Sequence, residues 1–104
     1  MIPEEKVNVV REYLKHEFPD HDIPDYFDTN IMGQSFYIVG ENKKVSVRRV
    51  FLEERTIPQI SAFLKISELG KQLYEAGITH IIVENNGSIT PLKDKEIRSS
   101  RQPT

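Results

Sequence analysis

The sequence predicts a small α+β domain in the order α-β-β-β-α-β(-β), with a mainly antiparallel sheet and two helices on one face. Three observations predict it. Apolar residues recur at helical spacing near the start and again in the second half. Short runs rich in β-branched and aromatic residues lie between and after them. Those runs are punctuated by glycine and asparagine in tight-turn order. A chain of 104 residues with 38% hydrophobic content is long enough to bury a core without disulfides or a structural metal. Residues 1–92 are expected to form one domain. Residues 93–104, "KDKEIRSSRQPT", hold one apolar residue in twelve and are expected to be a disordered basic tail.

The first helix is expected to begin at Pro3, because proline suits the first helical position and Glu4 and Glu5 meet the positive end of the helix dipole. Val7, Val10 and Leu14 make its apolar stripe, and Pro19 ends it. "DIPDYFDTNIM" supplies a short polar edge strand. "SFYIV" (35–39) and "VSVRRVFL" (45–52) read as a hairpin whose loop, "GENKK", uses Gly40 and Asn42 for positive φ angles.

Thr56-Ile-Pro-Gln59 reads as a capping box that starts the second helix. Ala62, Ile66, Leu69, Leu73 and Ala76 then give a core-facing stripe, with Gly77 as C-cap. Ile60, Phe63 and Leu64 lie partly off that stripe, so the segment also fits two pieces bent near Lys65. "THIIVEN" (79–85) has the continuous apolar centre of an inner strand. Asn86-Gly87 turns it back into "SITPL", which Pro91 is expected to stop.

Composition narrows the function. The chain has no cysteine, which removes thiolate metal sites, disulfide scaffolds and cysteine nucleophiles and suits a cytoplasmic location. The start "MIPEEKVNVV" lacks the apolar core of a signal peptide, and no run approaches the roughly 18 apolar residues of a membrane span. A protein neither exported by a classical signal nor inserted in a membrane is expected. Net charge is −2 but unevenly spread. Residues 1–31 carry eight acids against three Lys/Arg, and residues 32–104 carry eight against eleven.

Four features carry candidate chemistry. "KHEFPDHDIPDYFD" (15–28) packs five carboxylates and two histidines into fourteen positions. It fails the calcium-loop pattern, because Pro24 and Asp25 occupy the fifth and sixth places counted from Asp20. His16 and His21 are separated by a helix-breaking proline, so the segment reads as a solvated connection. Asp28 followed by Glu41-x-Lys43 has the spacing of metal-dependent nucleases, but Glu41 sits in a loop tip rather than on a strand. Lys43, Lys44, Arg48 and Arg49, with Lys93, Lys95, Arg98 and Arg101 of the tail, form a basic set suited to phosphate contacts. His80, on the best-buried strand, reads as a hydrogen-bonded structural residue. The aromatic residues, Tyr26, Phe27 and Tyr37 among them, read as core or sheet-face positions.

The element order resembles in part that of double-stranded RNA-binding domains and of restriction-like nuclease cores, and order alone licenses no function. No catalytic set, Walker loop or dinucleotide fingerprint is present, and no cofactor is implied. The expected function is therefore a non-enzymatic interaction domain that binds a protein partner or a second copy of itself. Its expected surface is the uncovered sheet face, with Tyr37, Val50 and Leu52 as exposed apolar positions. The alternatives are nucleic-acid binding through the 41–49 hairpin and the basic tail, and the metal-dependent nuclease.

Overall fold

The computed structural model describes residues 2–75 and 77–93. The order is α1 (Glu4–Glu17), β1 (Asp25–Asp28), β2 (Gly33–Ile38), β3 (Lys43–Arg48), α2 (Arg49–Glu54), α3 (Ile57–Ile66), α4 (Leu69–Leu73), β4 (Ile78–Val83) and β5 (Ile89–Lys93). The five strands form one sheet in sequence order. β1, β2 and β3 make an antiparallel meander, β4 and β5 an antiparallel hairpin, and the two join through a parallel β3–β4 pair. Parallel neighbours need a crossover, and α2, α3 and α4 supply it.

Strand parity and register decide which side is the core. Phe36 lies opposite Val45, Val45 beside Ile81, and Val47 beside Val83. These side chains, with Ile38, turn to one face and are buried there. The helices cover that same face with Val7, Val10 and Leu14 of α1, Phe51 and Leu52 of α2, Ile60 and Leu64 of α3, and Leu69 and Leu73 of α4. Two tyrosines tie α1 to α4. The Gly70 backbone N–H donates to the Tyr13 hydroxyl at 2.8 Å, and the Tyr74 hydroxyl donates to the Glu17 carbonyl at 2.8 Å. Among the described residues no helix is long and apolar enough to cross a membrane.

Local signals act as expected in several places. Thr56 Oγ1 accepts from the Gln59 N–H while the Gln59 amide oxygen accepts from the Thr56 N–H. The β2–β3 loop takes positive φ at Gly40 and Asn42, and the β4–β5 turn takes it at Gly87.

Three expectations are corrected. The strand drawn over residues 45–52 stops at Arg48, and α2 takes over from Arg49. Val50 and Leu52 are therefore helical; Val50 is half-buried, and Leu52 is wholly buried in the core rather than exposed on the sheet. The second helix comes in two pieces, as the off-stripe Ile60, Phe63 and Leu64 also allowed, with the break at Glu68 (φ 54°) between α3 and α4, and it is the expected stripe that is corrected. The break rotates the core stripe onto Ile60 and Leu64, leaving Ile66 81% exposed and Ala62 exposed. Ala76, the last member of the expected stripe, lies outside the described residues. Finally, Pro91 sits inside β5, which runs on to Lys93. An edge strand tolerates proline because its outward N–H has no ladder partner to lose. The expected tail beyond Lys93 lies outside the described residues.

Candidate functional site on the open sheet face

With the helices on one side, the other side of the sheet carries three rows of side chains fixed by the register. The central row runs Tyr26, Ser35, Ser46, Ile82 and Thr90. A second row, toward the β2–β3 loop, runs Tyr37, Lys44, His80 and Leu92. A third, toward the β1–β2 turn, runs Asp28, Gly33 and Arg48.

The middle of this face is polar yet dry. Ser35 and Ser46 are both 0% exposed; their hydroxyls bond each other at 2.7 Å, and Ser46 Oγ lies 2.8 Å from His80 Nε2. Each buried hydroxyl is thereby satisfied, as a low-dielectric site requires. Burial, and then the nearby Lys44 ammonium, push the His80 pKa from its ordinary 6.5 down to about 4, against a weaker opposing pull from Asp28. The imidazole is thus neutral near pH 7.

This has a measurable consequence. A histidine held neutral by the fold favours the folded state fully above the unfolded-chain pKa of 6.5, and that contribution is lost as pH falls toward about 4. Allowing for partial exposure of the ring, the loss is about 1–2 kcal/mol. Denaturation of the wild type and His80→Gln at about pH 7 and about pH 4.5 should show it as a larger drop for the wild type. Equal drops in the two proteins would exclude His80 as the source.

Around the dry centre, Tyr26 and Tyr37 stand 49% and 39% exposed. Together with Asn42, Lys43, Lys44, Thr79 and His80 they line a shallow cleft of about 370 Å³. Lys43 also lines the cleft, and its Nζ donates to the Ile78 carbonyl at 2.7 Å. At the other end of the face the charges are matched. Arg48 Nε donates to Glu84 Oε1 at 2.7 Å, Arg48 Nη1 donates to the Ile31 carbonyl at 2.6 Å, and Thr90 Oγ1 donates to Glu84 Oε2 at 2.8 Å. The Arg48 bond, then that of Thr90, hold the Glu84 carboxyl below its usual range.

The expected basic set is thus divided. Lys43 and Lys44 share the cleft, Arg48 is taken up by Glu84 and the β1–β2 turn, and Arg49 lies at the start of α2, where it meets Glu53. Lys93 ends β5, opposite Ile78; Lys95, Arg98 and Arg101 lie outside the described residues. Of the expected apolar positions Tyr37 alone is on the open face. Tyr26 and His80 complete the cleft and were absent from the expected site. Tyr26 comes from β1, paired with β2 across a short turn, and His80 from β4, whose alignment with the hairpin rests on a long-range parallel register.

The acidic connection serves structure. Asp25 accepts from Arg11 of α1 and from the Gln34 amide at 2.6 Å. His21 Nε2 lies 2.9 Å from Glu41 Oε2, and Asp28 accepts from the Asn30 N–H at 2.9 Å. Among the described residues no three His, Asp or Glu side chains gather in a metal-sized site. Asp28 lies across from the first residue of β2, whereas Glu41 follows its last. About 17 Å of strand separates them, so the acid…Glu-x-Lys set does not converge. No family model, curated protein or solved structure matches this chain.

Proposed function

We propose that this chain is a non-enzymatic recognition domain whose contact surface is the sheet face opposite the helices. One observation carries the reading: two exposed tyrosines stand beside Lys44, which has no ion-pair partner among the described residues, on the face that no described element covers. Aromatic rings give large contact area at small entropic cost. The rigid strands beneath hold them in place before any partner arrives, which lowers the cost of binding. Binding is favoured over catalysis because Ser46, the hydroxyl beside His80, is sealed from solvent and has no path to a substrate.

An amide-resolved NMR titration tests it with a panel of single-stranded oligonucleotides, acidic peptides and inorganic phosphate. Shifts concentrated at Tyr26, Ser35, Tyr37, Lys44 and His80 are expected for at least one of these ligands. Shifts confined to the groove between α1 and α3, around Val9, Tyr13 and Ile57, would overturn the reading.

A further inference from the structure

We infer that the partner of this face is a single-stranded nucleic acid, with bases laid on Tyr26 and Tyr37 and a backbone phosphate drawn to Lys44. The inference rests on the recognition surface proposed above.

Ring placement is the first argument. Tyr26 lies opposite Ser35, and Tyr37 is two residues further along the same strand. Diagonal neighbours of this kind lie about 7–8 Å apart, a separation that two splayed nucleotides span. Stacking on such rings is open to any base. A duplex keeps its base faces inside the stack, so it gains nothing from them.

Charge is the second. Lys44 lies across the ladder from Tyr37 on one side and His80 on the other, and it has no ion-pair partner among the described residues. Lys43 is held at the Ile78 carbonyl, and Lys93 is registered opposite Ile78. Three lysines thus collect at the loop end of the sheet. Among the described residues the acids of this face are distant or matched: Asp28 sits at its far end, Glu84 is bound by Arg48, and Glu41 is engaged by His21. Asn42 and Thr79, with the neutral His80 ring, add uncharged hydrogen-bonding groups suited to base edges. A protein partner fits less well, because the core of such a contact is apolar. Within the strands the aliphatic residues of this face are Ile82, 9% exposed, and Leu92, with the exposed Val39 just beyond the end of β2.

The test is fluorescence anisotropy of a labelled oligo(U) and a labelled blunt duplex. The single strand should bind and the duplex should not. With two or three phosphate contacts, affinity should fall about 7- to 20-fold from roughly 50 to roughly 200 mM salt. Tyr37→Ala should weaken binding about 5- to 150-fold. Lys44→Glu should also weaken it, and Lys65→Glu, exposed on α3, should not. Amide spectra of each variant establish that it is folded.

Absence of single-strand binding at low salt, equal binding of the duplex, or equal losses in Lys44→Glu and Lys65→Glu would each overturn the inference. If an acidic peptide shifts the face amides while oligonucleotides do not, the inference falls and the recognition surface stands. If oligonucleotides bind but shift only the helical side, both fall.

Discussion

Phe36→Ala is expected to remove about 3–5 kcal/mol of stability, the usual range for deleting a fully buried phenylalanine. Phe36 is 0% exposed, and its strand is bonded on both edges, to Asp25 of β1 and Val45 of β3. A strand fixed on both sides cannot shift to fill the void. The surrounding core, drawn from all four helices, cannot collapse without breaking its own contacts. A domain of this size holds about 5–15 kcal/mol in total, so the variant should lie close to its unfolding threshold. Urea denaturation with an unchanged slope measures the loss. A value under about 1.5 kcal/mol would mean that the site relaxes.

Gly33→Ala is expected to cost about 2–3 kcal/mol, by overpacking rather than by cavity. A methyl group there would stand 2.5 Å from the Val47 carbonyl oxygen and 2.9 Å from the Arg48 Cα, both backbone atoms of the neighbouring strand. Relief requires β2 and β3 to part at the point where Arg48 reaches Ile31 and Glu84. Gly70→Ala is the internal comparison, because the new methyl would meet the Glu17 side chain, which can swing away. If Gly70→Ala cost as much as Gly33→Ala in the same denaturation series, backbone collision would not be the cause.

Much of the fold was legible because its signals are local. The stripe of Val7, Val10 and Leu14, the Thr56–Gln59 box and the Asn86-Gly87 turn each sit within a few residues and need no distant partner. Residues 45–52 misled because Val and Phe favour strands and no glycine or proline marks the change at Arg49. Burial of Phe51 and Leu52 against the sheet overrides that preference. The Ala62–Leu73 spacing misled in another way, since it runs through Glu68, whose left-handed backbone separates two helices with different faces. The site was less legible still. Hairpin parity places Tyr37 with Lys44, and the short polar β1 that brings Tyr26 beside them carries only a weak strand signal; His80 joins through the long-range β3–β4 pairing, which no spacing in the sequence encodes.

The seam between β3 and β4 divides the sheet into two halves, and its Ser46–His80 bond spans 34 positions of chain. Each half can form by local turns, but the seam waits on the crossover. Until it closes, Val45 and Val47 on one side and Ile81, Ile82 and Val83 on the other lie along bare strand edges. Such β-branched edges invite pairing with whatever strand arrives first. A chain crowded while folding would therefore be prone to exchange its β4–β5 hairpin with a neighbour through the intact crossover, giving swapped assemblies along that edge.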